Sequence, residues 1–237
     1  MWPVERQRAQ GRVHEDPLPV HAAAVDQVVV AEEGGDEAAF GEARLAFEGP
    51  DGDEFALVEV AGDARAPWTG GAVPEDVAIR GFRGATMRLG EAGASDELLR
   101  FMGYSRGETE GASTRYLREH GNGADVIEIE TLPDTRRAEQ GAGSVHHIAF
   151  AVPDRAAQIE VRKGLIDTGH QVTPVIDRDY FWAIYFRTPG GVLFEVATNE
   201  PGFDRDEDPA HLGEALKLPS QHAHLRDYLE RHLEPLS

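Results

Sequence analysis

Two short stretches hold the side chains best suited to chemistry. Val145-His146-His147-Ile148-Ala149-Phe150 sets a histidine pair at the head of an apolar run, and Val192-Leu193-Phe194-Glu195-Val196 encloses one carboxylate in another. Both runs are rich in β-branched and aromatic residues and read as strands. A glutamate among Phe and Val is costly to bury unless it is paired, protonated or bound to a cation. Imidazole plus carboxylate suits a divalent metal, and two His with one carboxylate form the facial set of non-haem Fe(II) oxygenases. His147 and Glu195 therefore read as metal ligands. His146 falls on the opposite face if the strand is regular. Arg178 and Tyr185 flank the aromatic cluster Tyr180-Phe181-Trp182. Near a metal they could bind and polarise an anionic oxygen, and the aromatics could wall a ring-binding pocket. Ordinary roles stay open for each: a satisfied core histidine, a glutamate paired with arginine, an arginine in a solvated turn, aromatics in a core.

To bring these groups together the chain needs neighbouring strands, and it supplies the same plan twice. Val145–Val152 reads as a strand and Asp154–Thr168 as a helix ended by Gly169. Gln171–Asp177 and Phe181–Thr188 read as strands, Pro189-Gly190-Gly191 as a turn, and Val192–Ala197 as the closing strand. Earlier, Ile79–Leu89 reads as a strand. Ser95–Met102 reads as a helix with Ser95 as N-cap and Gly103 just past its end. Strands follow at Thr114–Arg118 and Asp125–Glu130, with room for one more near 104–110. The fold class is α+β, built on repeated βαβββ units at 79–131 and 143–200. Residues 38–62 look like the terminal hairpin of a third unit, because Phe47 to Phe55 aligns with Phe186 to Phe194. Residues 1–37 form a leader without period, and 201–237 a tail with helices expected at Leu212–Leu218 and Ala223–Leu233. The positions matching His147 and Glu195 are Gly84 and Glu128 in the middle unit; in the hairpin, Ala56 matches Glu195. Only the unit at 143–200 holds both His and Glu.

Composition bounds the partners. The chain has 237 residues and a net charge of -20, which argues against nucleic acid or an anionic membrane. Lysine occurs only at Lys163 and Lys217. Such an acidic, lysine-poor surface suits a halophile, where salt screens the repulsion. There is no cysteine, so disulfides and thiolate ligands are excluded. No apolar run approaches the ~20 residues of a membrane span, and no signal-peptide core follows Met1; a cytoplasmic location is expected.

The runs Gly141–Phe150, Gln171–Phe181, Ile184–Arg187 and Pro189–Thr198 closely resemble the ring-cleaving extradiol dioxygenases of the vicinal oxygen chelate (glyoxalase/bleomycin resistance) superfamily, of the hydroquinone-cleaving type. The likeness continues through Pro201-Gly202-Phe203 and Leu212–Pro219. It implies curved mixed sheets around a metal pocket. It also implies Fe(II), sometimes Mn(II), on two His and one Glu, of which His147 and Glu195 match two. His146, Arg178 and Tyr185 match positions around the metal or in contact with substrate; His146 and Tyr185 are the expected catalytic groups that could move protons, and Arg178 and Phe181 the expected substrate-binding ones. The family inserts both atoms of O2 into a small aromatic diol. Its other histidine ordinarily comes from a first unit; here no matching strand is seen before residue 79, and His14 and His21 in the leader are the candidates.

Three readings follow. One is an Fe(II)-dependent ring-cleaving dioxygenase, or the C-terminal part of one. Another is a non-catalytic remnant that binds a small aromatic or a metal. The third is a glyoxalase-type isomerase. Faces left bare by missing units would favour a homo-oligomer.

Overall fold

The computed structural model describes residues 21–25, 36–69, 73–134, 141 and 143–234; at 21–25, 36 and 37 it describes the backbone. The strands are β1 (His21–Val25), β2 (Asp36–Ala39), β3 (Glu42–Glu48) and β4 (Glu54–Val58). The middle unit follows as β5 (Gly84–Leu89), α1 (Gly93–Phe101), β6 (Ser105–Glu110), β7 (Ser113–Leu117) and β8 (Val126–Thr131). The last unit is β9 (Ile148–Val152), α2 (Arg155–Asp167), β10 (Ile176–Asp177), β11 (Phe181–Arg187) and β12 (Leu193–Pro201), with α3 (Arg226–His232) near the end.

Both units close the same way. In each, the first strand runs parallel to the last, β5 beside β8 and β9 beside β12, and the rest of the sheet is antiparallel. The sheet orders are β5-β8-β7-β6 and β1-β9-β12-β11-β10, with β2-β3-β4 as a separate hairpin sheet. This is the α+β arrangement expected. The hairpin keeps the repeat's register: Phe47 faces Phe55 as Phe186 faces Phe194. The two units share one core, in which Leu99, Ile127, Phe150, Val161, Leu165, Ile184 and Phe194 are wholly excluded from solvent. Burying each such side chain is worth roughly 1.5–3 kcal/mol.

α2 begins as its sequence suggests, with the Asp154 carboxylate accepting from the Ala157 amide at 2.9 Å. It ends at Gly169, whose φ of 92° suits glycine. Its inner face is Gln158, Val161 and Leu165. Ser95 is not an N-cap: α1 starts two residues earlier, and Ser95 lies inside it, 2% exposed. Apolar Leu98 and Leu99 set the helix's inner face, and Ser95 falls on it.

Other expected bounds also move. β9 starts at Ile148, so His146 and His147 precede the strand. β5 starts only at Gly84. Of Gln171–Asp177, only Ile176–Asp177 forms a strand, with Val172 making a lone bridge to Phe186; Pro174 in between has no N–H to give a ladder. Leu212–Leu218 is not helical: Pro209–His211 forms a 3-10 turn, and Leu212 and Leu216 stay exposed, so no packed face supports a helix. Ser220–Leu225 is 3-10, leaving α3 shorter than Ala223–Leu233.

The leader contributes a strand. The backbone of His21–Val25 runs antiparallel to β9, with Val25 opposite Ile148 and His21 opposite Ala151. His-Ala-Ala-Ala-Val has no alternation to announce it; an open edge of β9 overrides weak local preference. His14 lies outside the described residues, as do residues 26–30 of the short apolar run Val25–Val30, which by sequence could be a strand.

Candidate metal and ring-binding site

The parallel pairing of β9 and β12 builds the site. Phe194 lies beside Ile148 and Glu195 beside Ala149. His147, one residue before the strand, therefore reaches the carboxylate, Nε2 to Oε2 at 2.7 Å. Glu195 is only 3% exposed. On the other side of β12, Tyr185 stands directly opposite Glu195. The His147 and Tyr185 rings meet edge-on with centroids 6.1 Å apart. Arg178 donates to the Tyr185 hydroxyl at 3.3 Å and lies over its ring at 5.4 Å.

His146 does not point away from its neighbour. Because the pair precedes the strand, side-chain alternation does not apply, and Nδ1 of His146 lies 2.8 Å from Nδ1 of His147. One of these nitrogens donates to the other, which ties the orientation of the His147 ring to His146. At 2.7 Å the His147 Nε2–H donates to the Glu195 carboxylate; to hold a metal, Nε2 would give up that proton and the ring would keep one on Nδ1, directed at His146. Burial pushes the Tyr185 phenol above its ordinary range and the Glu195 carboxylate adds to this; the Arg178 guanidinium pulls the other way.

Five of the six residues singled out in sequence thus gather in one place: His147, Glu195, His146, Tyr185 and Arg178. Phe181 is four residues along β11, opposite Pro201, and its ring sits against Phe203, centroids 6.1 Å apart. The imidazole nitrogen and the buried carboxylate oxygen are a donor pair suited to a divalent ion. Among the described residues no cluster of three potential metal ligands forms. His21 faces Ala151, at the far end of β9 from His147.

The middle unit shows what the same register does without a histidine. Glu128 pairs with Thr86 on β5 and Arg115 on β7, as Glu195 pairs with Ala149 and Tyr185. Arg115 and Arg44 contact Glu128 at 2.7 and 2.6 Å. Glu42, from the hairpin, bridges Arg115 and Arg83 at 2.7 and 2.6 Å. Burial pushes both Glu42 and Glu128 up, but their arginines outweigh it and hold each carboxyl below the ordinary range. Gly84 takes the place of His147, and any Cβ there would come 2.2 Å from the Val126 carbonyl oxygen. No side chain fits, so this copy is an ion cluster and not a ligand set.

Sequence reasoning missed a second group of residues beside the site. Asp179, in the turn that carries Arg178, is 8% exposed and has a φ of 71°. Its carboxylate accepts from Ser220 at 2.5 Å and lies 3.1 Å from the Arg205 guanidinium. Nothing local announces partners so distant in sequence; only the Asp177-Arg178-Asp179 run marks the turn.

His147, one residue ahead of β9, and the buried Glu195 on the parallel strand β12 lie in the second of two βαβββ units. Residues 85–196 match the model of the Glyoxalase/Bleomycin resistance protein/Dioxygenase superfamily, so the chain carries a domain of that superfamily. It is 41% identical over 197 residues to MhqO of Bacillus subtilis (strain 168), whose name assigns it to the ring-cleaving dioxygenases. It is 36% identical over 200 residues to the chlorohydroquinone/hydroquinone 1,2-dioxygenase of Sphingobium indicum. These alignments cover 83% and 81% of this chain but 62% and 61% of the relatives, so the chain spans about three-fifths of their length. A crystal structure of a B. subtilis protein titled as a dioxygenase superimposes with a TM-score of 0.81 at 39% identity, over 86% of this chain and 66% of that one.

Proposed function

We propose that this chain is the metal-bearing part of a ring-cleaving dioxygenase that opens hydroquinone- or catechol-type aromatics with O2, using Fe(II) or Mn(II). The observation that carries the reading is the 2.7 Å approach of His147 Nε2 to the buried Glu195 carboxylate, within reach of Tyr185. The relatives' names supply the reaction class. A bound metal would lower the pKa of a substrate hydroxyl and hold both reactants on one centre. The chain's own residues do the rest. His147 and Glu195 are two ligands. Arg178 offers a fixed fork of donors to a substrate oxygen. Tyr185, kept protonated, donates to the same oxygen, and His146 accepts or returns a proton near the ring. Phe181, its ring tilted against Phe203, would border the outer end of the pocket. Both oxygen atoms enter the product as one ring C–C bond breaks, so no outside reductant is needed.

The test is an anaerobic Fe(II) titration of the purified chain in high salt, beside His147→Ala and Glu195→Ala, followed by O2 uptake with hydroquinones. Stoichiometric binding lost in both variants, with O2 consumed one-for-one with ring, supports the enzyme. A second reading, a non-catalytic aromatic- or metal-binding module, is favoured by one observation: only two ligands gather among the described residues. Metal or aromatic binding without O2 uptake selects it. Isomerisation of a glutathione hemithioacetal, with no O2 uptake, selects glyoxalase-type chemistry.

A further inference from the structure

The tail from Phe203 to His232 contributes no residue to the core; none of its helical turns buries a side chain. Its contacts concentrate on one target, the turn between β10 and β11. There Asp179 adopts the left-handed conformation that non-glycine residues seldom take and that persists only where surroundings over-determine it. The surroundings come mainly from the tail. Ser220 donates to the Asp179 carboxylate at 2.5 Å, and Arg205 reaches both that carboxylate, at 3.1 Å, and the Asp179 carbonyl. Arg205 also lies over the Tyr180 ring, centroid 5.6 Å away, and Tyr180 stacks on Phe203 at 5.5 Å. The Gly202 amide donates to the Tyr180 carbonyl at 3.0 Å. Within the turn, Asp177 accepts from the Asp179 amide at 2.8 Å, and the Arg178 amide donates to Phe181 at 2.9 Å. The turn is thus clasped from one side by the tail, and from its other side Arg178 reaches the Tyr185 hydroxyl.

We propose that Asp179, locked by Ser220 and Arg205, is a positioning residue: the tail sets the backbone of Arg178 and thereby how firmly the site grips the oxygen of its aromatic ligand. The assignment rests on the site reading above, because it takes Arg178 as the ligand-contacting group. The turn is otherwise a short surface connection, and Arg178 is exposed; an arginine on a free turn would spread over many rotamers and lose binding free energy on ordering.

Two measurements test this on the chain, with Ser220→Ala and the isosteric Asp179→Asn as disrupting variants and Ser220→Thr to restore the hydroxyl. The first is hydrogen exchange, which needs no activity. Exchange at the amides of Arg178 and Gly202 should quicken roughly tenfold in both disrupting variants, as for loss of about one net hydrogen bond. Exchange along β11 and β12 should not change, and Ser220→Thr should return to the parent rate. Unchanged exchange at Arg178 overturns the proposal. The second is steady-state kinetics with hydroquinone in the Fe(II)-loaded protein. KM should rise several-fold with kcat and iron stoichiometry held, and Ser220→Ala should have no further effect in an Arg178→Ala background. A full effect in that background, or loss of iron at unchanged KM, overturns it. If the parent protein consumes no O2 with hydroquinones, the dioxygenase reading fails while the exchange experiment still decides whether the tail holds the turn.

Discussion

Arg115 faces Glu128 across β7 and β8 at the register position where Tyr185 faces Glu195 across β11 and β12. One scaffold position has been resolved in two ways. In the middle unit the inward carboxylate is neutralised by Arg115 and Arg44; in the last it meets an imidazole and a phenol. The deciding residue is Gly84 against His147. At Gly84 the backbone of β8 comes so near that no side chain fits.

Removing one member of a buried ion cluster leaves its partners charged and desolvated. Arg115 and Arg44 have side chains only 8% and 14% exposed. Glu128→Ala should therefore destabilise the chain by about 3 kcal/mol. Urea unfolding followed by circular dichroism checks this. Fe(II) binding at His147 and Glu195 should survive in the folded variant, since Glu128 belongs to the other sheet. A loss under 1 kcal/mol would mean the cluster is relaxed by solvent.

The same carboxylates set an acid limit. Glu42 and Glu128 have folded values below their ordinary 4.5. A depressed carboxyl contributes stability that is fully present above 4.5 and is lost as pH falls through the folded value. The melting temperature should thus hold level from pH 7 down to about 5 where these two groups are concerned. Below 4.5 it should fall, and more steeply than in Glu128→Gln, which has one such group fewer. Calorimetry across pH 3 to 7 on both proteins is the check.

Much of the scaffold was legible because it follows local rules. Asp154 and Gly169 bracket α2 by capping chemistry, and the Phe47/Phe55 and Phe186/Phe194 pairs expose the repeat because cross-strand register is a fixed count from the turn. The candidate site stood out through a mismatch, a carboxylate inside an apolar strand. What was hidden is non-local. β1 pairs through its backbone, which five residues of low pattern cannot advertise. Ser95 looked like a cap, but the helix face is chosen by Leu98 and Leu99. Asp179 gains its meaning from Ser220 and Arg205, and no periodicity links them.

The proposed ligand roles yield graded losses. Replacing an outer hydrogen-bond partner of a metal ligand costs roughly 10–100-fold in affinity. His146→Ala, which removes the partner of His147 Nδ1, should fall in that range. Glu195→Gln, which removes a ligand charge at constant size, should lose more than either limit. Anaerobic Fe(II) titration by calorimetry orders them. Equal losses would mean that His146 is itself a ligand.

Tyr185→Phe separates metal from ring. The hydroxyl touches Arg178 and faces Glu195, and burial together with that carboxylate holds it protonated through neutral pH. As a neutral donor it can bind a substrate oxygen without titrating in the working range. Tyr185→Phe should keep Fe(II) affinity within about twofold while raising the hydroquinone KM by roughly tenfold, the worth of one hydrogen bond to a charged oxygen. Because the phenol's pKa is raised, the neutral-pH portion of the rate profile should keep its shape in the variant, and only the alkaline limb should differ. Steady-state O2 uptake between pH 6 and 10, on parent and variant, measures both. A change of slope near pH 7 would show that Tyr185 exchanges its proton during turnover and is an acid–base group, not a fixed donor.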